Sequence, residues 1–373
     1  MQRILIITFL ILASIWFLGS IQTFPPENQN QEISTSTRPI VAAVSTSTIT
    51  TTKTATTTKS NRASATKAKL ITAQQKSIAA PVVPPTAPES PTDFTPINTY
   101  ARQAIVNILC ETGGNELSPI TGTGVVIDPK GIILTNAHIG EYLLLKDLYK
   151  KDFVKCFIRT GSPAYPRYNV ELVYISPTWV INNKSLLKET NPKGNGENDF
   201  AILRISSMID GTELPTSFPY IAINTRETIK KNEPVILISY PAGFLGGLSV
   251  IQDLNITSAV TTIQSVFTFK ESTIDLISVP GTVISQKGSS GGAVVDKKST
   301  LIGIISTTSD GNTTADRDLR AITLAHINRS LEDELGVTLS QLLSDDLIGF
   351  AQKFQKTVAP TLTKLIADEL NKQ

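Results

Sequence analysis

Short runs of β-type residues, separated by glycine, proline, asparagine and aspartate, follow one another from about Ala101. They form two groups of six: AIVNILCET, GTGVVIDP, GIILTNAHI, DFVKCFIRT, YNVELVYIS and DFAILRIS, then EPVILISYP, LNITSAVTTI, IDLISVPG, GGAVVD, LIGIIST and RAITLAHI. Regular short strands with turn residues between them indicate an all-β sandwich or barrel. We therefore predict an all-β fold with two six-stranded antiparallel barrels, at about 101–207 and 220–327, within a region 98–335.

The first 24 residues have the composition of a targeting segment. Ile4 to Leu18 is almost entirely apolar, Arg3 precedes this run, and the next basic residue is Arg38. This asymmetry predicts that the amino terminus stays inside and the rest lies outside the membrane. The run of about 15 to 18 residues lies between a signal-peptide core and a full span, without a clean cleavage site. We expect an uncleaved signal anchor that meets the membrane through residues 4–21; the alternative is a cleaved signal peptide and a secreted or periplasmic product.

Residues 25–97 are of low complexity. They are rich in threonine, serine and proline and nearly free of aromatic residues, as in STSTITTTKTATTTKS and APVVPPTAPESPTDFTP. Such a segment buries too little apolar surface to offset its chain entropy. We predict a disordered tether whose lysines keep it solvated; attraction of these lysines to an anionic envelope surface is the alternative.

The chain after Gly336 changes to a helical pattern. Thr338 and Gln341 have capping-box spacing, and leucine and phenylalanine recur about every three to four residues. Pro360 interrupts the pattern, and a second apolar series follows it. We predict C-terminal amphipathic helices over 336–373 that pack on the barrels; a docking element for another copy or another subunit is the alternative.

Three residues suited to serine nucleophilic chemistry lie at the edges of predicted strands. This chemistry needs a serine, a base that takes its proton, an acid that orients the base, and donors for the developing oxyanion. His138 ends the run GIILTNAHI, Asp199 precedes AILRI, and Ser290 stands in GSSGG, with spacings of 61 and 91 residues. Each residue alone is an ordinary strand-edge residue. Because the first two fall in the first group of strands and Ser290 in the second, we expect the site in the cleft between the barrels.

Composition gives no support for other classes of site. A net charge of +2 offers no electrostatic case for nucleic acid. The two cysteines and two histidines are too few and too far apart for a zinc cluster. We expect neither a metal nor a cofactor.

Five segments, in order, resemble those of chymotrypsin-fold serine peptidases, and most closely the bacterial HtrA-type branch. They are GTGVVIDPKGIILTNAHI, NDFAILRI, EPVILISYPAGF, LNITSAVTTI and KGSSGGAVVD with LIGIIST, and together they span about 100–330. The resemblance implies a serine endopeptidase that cleaves unfolded proteins through an acyl-enzyme. It implies His138 as general base, Asp199 as its orienting partner and Ser290 as nucleophile. The backbone N–H groups of Gly288 and Ser290 would form the oxyanion hole.

The sequence departs from the family in two places. Ser289 precedes the nucleophile, where digestive relatives carry aspartate and HtrA-type proteins commonly carry asparagine. Without a carboxylate there, we do not expect activation by capture of a new amino terminus. HtrA-type chains usually end in a PDZ domain; because 37 residues follow Gly336 here, we expect the peptidase region without one.

The resemblance also implies a specificity pocket for the residue before the scissile bond. Ile284 would lie near its base, with Thr307, Thr308 and Ala321 on its walls. Since an apolar floor without an acid favours aliphatic side chains, we expect cleavage after small or medium aliphatic residues rather than after arginine or lysine.

The resemblance further implies a disulfide between Cys110 and Cys156. In barrels of this family the first and fourth strands are neighbours, and the two cysteines lie in the first and fourth predicted strands. The sulfur atoms can meet if the register agrees, and an exported chain keeps such a bond. Two separate buried thiols, or a reactive cysteine, are the alternatives.

Two other functions remain as alternatives. The first is a catalytically silent barrel used as a binding module. The second is an α/β-hydrolase-type esterase, because GSSGG also fits the G-x-S-x-G pattern and His326 follows it in the chain. That fold needs a helix after the serine, whereas GGAVVD continues as a strand, so the sequence disfavours it.

We predict that the full chain fractionates with membranes and keeps its first residues, with the catalytic domain on the extracytoplasmic side. The reason is the apolar run after Arg3. Amino-terminal sequencing of the membrane fraction is the measurement. A soluble product that begins near residue 20 would contradict the anchor and favour a cleaved signal peptide.

Overall fold

The computed structural model describes residues 92–114, 116–189, 194–269, 272–308, 313 and 318–372. The predicted anchor at 4–21 and the predicted tether up to residue 91 lie outside the described residues. The last residues assigned to the tether are folded, because Phe94 and Ile97 are buried and a helix begins at Thr95. No helix within the described residues is both long and apolar enough to span a bilayer.

The described chain is mostly strand up to Thr323 and helical after it. The strands are β1 Ile105–Thr112, β2 Ile120–Asp128, β3 Ile132–Thr135, β4 Val154–Thr160, β5 Tyr165–Ile175, β6 Ala201–Met208, β7 Pro234–Ser239, β8 Thr257–Thr262, β9 Ser265–Phe267, β10 Leu276–Val279, β11 Ala293–Asp296, β12 Leu301–Thr308 and β13 Leu319–Thr323. The helices are α1 Thr95–Ala101, α2 Ala137–Leu144, α3 Pro177–Asn183, α4 Gly247–Gln252, α5 Leu324–Leu335, α6 Leu339–Ser344, α7 Leu347–Thr357 and α8 Ala359–Leu370, with 3-10 turns at Arg102–Ala104 and Lys184–Lys188.

The first six strands close into an antiparallel barrel in the order β1-β2-β3-β6-β5-β4. Strand β3 is buried on both faces, as its unbroken apolar run IILT requires. It pairs with β6 so that Thr135 lies opposite Ala201. The end of β3 and the start of β6 therefore meet at one rim of the barrel.

The second sheet has seven strands in the order β8-β7-β11-β12-β13-β10-β9. Its two edge strands, β8 and β9, are consecutive in the chain and only Ile263 and Gln264 separate them. At this bend the Ile263 N–H donates to the Glu233 carbonyl, on the β7 side, and the Gln264 N–H donates to the Ser278 carbonyl of β10. One bent strand thus joins both edges and curls the sheet. The all-β, two-barrel class is confirmed. The seventh strand, β9, follows directly after the predicted run LNITSAVTTI and was not among the predicted strands.

The C-terminal helices pack on the first barrel. Tyr174 of β5 contacts Phe354 of α7, with ring centroids 5.5 Å apart. Gln355 donates to the Leu172 carbonyl at 2.8 Å, and Thr363 of α8 donates to the Leu144 carbonyl at 2.9 Å. These contacts cover the barrel at the end of β5, whose last four residues are buried.

The helical part begins earlier than the sequence indicated. Strand β13 ends at Thr323, whose side chain accepts a hydrogen bond from the His326 N–H and so caps α5. At α6 the expected capping box is present, with Thr338 and Gln341 bonding each other's backbone N–H groups. His326 therefore lies inside a helix rather than in a strand.

Cys110 and Cys156 form a disulfide that closes the first barrel between β1 and β4. The two residues lie directly opposite each other in the register of these strands. Cys110 is fully buried, so the bond is anchored in the core.

We predict that removing the disulfide lowers the free energy of unfolding by about 3 to 4 kcal/mol, because the bond closes a loop with a sequence separation of 46. Urea unfolding of the wild type and of a Cys110→Ala, Cys156→Ala variant is the measurement, with the reduced wild type as a second comparison. Two free thiols in the unfolded, unreduced protein would contradict the bond.

Candidate active site

His138 and Asp199 meet at the barrel rim where β3 ends and β6 begins. Helix α2 starts directly after β3, so His138 is its second residue. Its backbone N–H donates to Asp199 Oδ1 at 3.0 Å, and its Nδ1 lies 2.9 Å from Oδ2. Asn136, just before the helix, donates from Nδ2 to the Asp199 carbonyl at 2.9 Å. The side chain of Asp199 is only 5% exposed, whereas that of His138 is 29% exposed.

A tight turn delivers the Asp199 carboxylate to this place. Asn198 has φ +58° and Gly196 has φ +84°, the left-handed region that favours glycine and asparagine. The Asp199 N–H donates to the Gly196 carbonyl at 3.2 Å, and the Phe200 N–H donates to the Asn198 carbonyl at 2.8 Å. The turn therefore points the carboxylate back under the imidazole of His138.

Ser306 completes the environment of Asp199 from the second sheet. Its hydroxyl donates to Asp199 Oδ2 at 2.8 Å. Ser306 stands at a bulge in the pairing of β12 with β13, between Ile305 and Thr307. Sequence reasoning missed this residue, since a bulge inside LIGIISTT has no signal in the strand pattern.

The pair fixes the charge states of both groups. Burial opposes ionisation of Asp199, but the charge of His138 and the hydrogen bonds from His138 and Ser306 outweigh it and lower its pKa. Burial likewise opposes a charge on His138, but the Asp199 carboxylate and its hydrogen bond outweigh it and raise the His138 pKa. An ionised Asp199 needs a proton on Nδ1, so in the neutral ring Nε2 is unprotonated and can act as a base.

Ser290 lies in a loop that two sheets hold. Its carbonyl accepts from the Thr123 N–H of β2 at 2.8 Å, and the next N–H, of Gly291, donates to the Ile305 carbonyl of β12 at 2.7 Å. Gly291 has φ +82°, and a Cβ there would lie 1.9 Å from the Thr123 carbonyl oxygen. Only glycine can follow Ser290 at this close approach.

The same contacts bring Ser290 to the rim that carries His138 and Asp199. Thr123 also accepts, at its carbonyl, from the hydroxyl of Thr135 at 2.7 Å, and Thr135 lies three residues before His138. Ile305, which holds the other side of the loop, precedes Ser306, the donor to Asp199. Among the described residues, Ser290 is half-buried and its hydroxyl makes no hydrogen bond to the His138 ring.

The backbone before Ser290 presents two N–H groups. Gly288 has φ +91°, and a Cβ there would lie 2.7 Å from the Tyr240 carbonyl oxygen. Its own carbonyl accepts from the Thr123 hydroxyl at 2.7 Å, which fixes this peptide. Neither the Gly288 nor the Ser290 N–H donates to an acceptor within the described residues, so both are available for the predicted oxyanion hole.

Ser289, which replaces the acid or amide of the family, is buried and has a neutral partner. The Ser239 hydroxyl of β7 donates to its hydroxyl at 3.0 Å. Two serine hydroxyls satisfy each other here, and no charge is needed.

The four predicted pocket residues lie in two places: two are in the core of the second sheet and two are at the end of strand β12. Ile284 and Ala321 are buried together in the apolar core of the second sheet. Thr307 is half-buried in β12, opposite Arg320 of β13, and the backbone of Thr308 lies opposite Leu319. An apolar floor fits these positions, and the pocket itself stays a prediction.

Sequence reasoning also missed Glu141, which lies one turn after His138 on α2. It is 3% exposed. Burial, and then the charge of Asp199, raise its pKa well above the ordinary glutamate value. This shift favours the protonated form of Glu141, whereas the lowered pKa of Asp199 favours its charged form beside His138.

One family model and several solved structures are similar to this chain. Residues 122–304 match the family model described as "Trypsin-like peptidase domain", which confirms the resemblance to trypsin-like serine peptidases. No curated protein matches the chain. Among solved structures, the Rv3671c protease from M. tuberculosis is 17% identical, with 65% of this chain and 85% of that chain covered and a TM-score of 0.41. The serine endoprotease from Yersinia pestis is 20% identical, with 66% and 68% covered and a TM-score of 0.42.

We predict that His138 titrates above the ordinary histidine pKa and that Asp199→Asn lowers this pKa, because the variant removes the charge that outweighs burial. The chain has two histidines, so NMR of the imidazole C–H signals resolves each titration. Asp210→Asn, in an exposed turn, is the matched control and should leave both signals unchanged. An equal His138 pKa in Asp199→Asn and the wild type would contradict the pairing.

Proposed function

We propose that the trypsin-like peptidase domain of this chain, at residues 122–304, is an active serine endopeptidase with His138, Asp199 and Ser290 as its triad. The observation that carries the proposal is the buried carboxylate of Asp199, which accepts from both the backbone N–H and the Nδ1 of His138. A buried charge aimed at one imidazole is the arrangement that orients a general base.

The proposed reaction proceeds through an ester. His138 Nε2 takes the proton of the Ser290 hydroxyl while Oγ bonds to the substrate carbonyl carbon, and the carbonyl oxygen becomes an oxyanion. The Gly288 and Ser290 N–H groups donate to that oxyanion. His138 then gives the proton to the leaving amine as the C–N bond breaks, and Asp199 stabilises the imidazolium meanwhile.

Water completes the cycle. His138 takes a proton from a water molecule whose oxygen attacks the ester carbonyl carbon. When the second tetrahedral species collapses, the bond to Ser290 Oγ breaks, and His138 returns the proton to that oxygen. The products are a carboxylic acid and the free enzyme, so one peptide bond and one water are consumed per turnover.

The Ser290 hydroxyl need not bond His138 before substrate binds. Catalytic hydrogen bonds are often long in the absence of substrate and tighten in the complex. The loop is already held on both sides, at Thr123 and Ile305, so we expect the hydroxyl to approach His138 mainly by rotation of the serine side chain.

The proposed substrates are unfolded proteins or peptides outside the cytoplasm. Cleavage after valine, alanine, isoleucine or leucine fits the buried, apolar setting of Ile284 and Ala321. The apolar run at residues 4–21 supports a membrane-attached enzyme whose catalytic domain is extracytoplasmic. These assignments rest on the sequence and on the burial of Ile284 and Ala321, and each is independent of the triad.

We predict that Ser290→Ala lowers kcat/KM on a broad peptide library by about 10⁵- to 10⁶-fold, because it removes the nucleophile. Ser289→Ala is the matched control; it loses one neutral hydrogen bond to Ser239 and should stay within about tenfold of wild type. Mass spectrometry of the products measures rates and cleavage sites together.

The outcomes separate the alternatives. A wild-type chain that is folded yet cleaves nothing favours the binding module. Equal losses in Ser289→Ala and Ser290→Ala would contradict the choice of nucleophile. Cleavage mainly after arginine or lysine would remove the pocket assignment and leave the triad in place.

A further inference from the structure

A second set of serine, histidine and aspartate lies behind the turn that carries Asp199. His326 of α5 places Nδ1 3.2 Å from Asp275 Oδ1. On its other side, Nε2 lies 3.4 Å from the hydroxyl of Ser330, one turn later on the same helix. Asp275 is 1% exposed, and both His326 and Ser330 are 7% exposed.

This set is not a second catalytic site. Its burial leaves no access for a peptide, and its serine hydroxyl is already committed. Ser330 Oγ donates to Oδ1 of Asn198 at 2.7 Å. Asn198 immediately precedes Asp199. The buried set therefore contacts the turn that carries the Asp199 carboxylate.

Asn198 has a backbone conformation that needs stabilising contacts. Its φ of +58° is a conformation that a non-glycine residue adopts at a cost, which the surrounding structure has to offset. The Asn198 carbonyl is held within the turn by the Phe200 N–H, while its side chain is held by Ser330 alone among the contacts of the described residues. Helix α5 is thus the outside support of the turn.

Asp275 anchors this support. Burial opposes its ionisation, but hydrogen bonds from Thr273, from the Phe269 N–H and from Arg329 lower its pKa well below the ordinary aspartate value. The Phe269 N–H donates to Oδ2 at 2.6 Å and the Thr273 hydroxyl donates to the same oxygen at 2.7 Å. Asp275 is therefore ionised, and a proton on Nδ1 of His326 faces it.

His326 turns its other nitrogen to Ser330. Burial lowers its pKa although the charge of Asp275 opposes this effect, and Arg329 lowers it further. The neutral ring with its proton on Nδ1 has an unprotonated Nε2 beside the Ser330 hydroxyl. Nε2 and Asn198 Oδ1 are both acceptors beside this hydroxyl, and Ser330 donates to Asn198 Oδ1, which is the nearer of the two.

We propose that Ser330, which lies beside the His326–Asp275 pair, is a positioning residue that holds the Asn198–Asp199 turn in register with His138. The expected change in kcat rests on the proposed function. The expected change in the position of Asp199 relative to His138 does not. If the support is lost, Asp199 shifts relative to the imidazole, and the interaction that stabilises the protonated His138 weakens. The chemical step then slows, while substrate binding is unaffected because Asp275, His326 and Ser330 are buried.

The charged and titratable neighbours of both rings are identified. His138 faces Asp199 and, on its own helix, Glu141. His326 faces Asp275, Arg329 and the more distant Glu197. Ser330→Ala changes none of these groups, so any change in the His138 titration reports the geometry of Asp199.

The test uses the full chain in four forms: wild type, Ser330→Ala, Asn198→Gly and the double variant, with Glu332→Gln on the exposed face of α5 as the matched control. Glycine tolerates the positive φ at position 198, so Asn198→Gly removes the side-chain bond without backbone strain. The measurements are kcat and KM on one cleaved peptide, and the NMR titration of the two histidines.

We expect Ser330→Ala to lower kcat about fivefold to tenfold, as one buried hydrogen bond would, with KM unchanged. The titration of His138 should move to lower pH in Ser330→Ala and in Asn198→Gly alike. The double variant should do no more than either single variant, because both remove the same bond. Glu332→Gln should match the wild type.

A His138 titration in Ser330→Ala equal to that in Glu332→Gln would overturn the inference, as would additive effects in the double variant. If Ser330→Ala does not fold, Asn198→Gly decides by the same readout. If the wild type cleaves nothing, the proposed function fails, but the titration arm still tests the positioning because it needs no turnover.

Discussion

The candidate site depends on one buried charge, the carboxylate of Asp199. An isolated carboxylate in a protein interior costs several kcal/mol, so it persists only where donors surround it. Here the donors are the backbone and ring of His138 from the first barrel and the hydroxyl of Ser306 from the second sheet. Because both sheets must supply a donor to the same carboxylate, the charge itself fixes how the two sheets meet at the cleft.

Thr123 also joins the two sheets, but through uncharged hydrogen bonds. Its N–H donates to the Ser290 carbonyl, its hydroxyl donates to the Gly288 carbonyl, and that hydroxyl also accepts from the Tyr240 N–H at 3.0 Å. One threonine of the first barrel thus shapes the loop that carries the nucleophile. Each of these hydrogen bonds contributes about 1 kcal/mol to stability. Together they hold the loop in its conformation before substrate binds.

Much of the fold could be predicted from the sequence because its signals are local. Short apolar runs between turn residues indicated the strands, and the two barrels followed from their number. The Thr338–Gln341 spacing marked a helix start, and the capping box is present. The pairing of Cys110 with Cys156 needed the family resemblance, since only the register of β1 with β4 brings them opposite each other.

The remaining features depend on contacts that local patterns do not encode. Strand β9 was missed because it is only three residues long and follows the bend at Ile263 and Gln264, whose N–H groups donate to opposite sides of the sheet. Ser306 reaches Asp199 only through a bulge. Ser330 reaches Asn198 across a sequence separation of 132 residues, and no periodicity signals such a bond.

The most direct test of the account is covalent labelling of the full chain with a fluorophosphonate, followed by peptide mapping. An oriented base beside an activated serine predicts one adduct, on Ser290, that disappears in His138→Ala and is strongly reduced in Asp199→Asn. Labelling on Ser289, or no labelling of a folded wild-type chain, would contradict the claim that Asp199, His138 and Ser290 act as one catalytic unit.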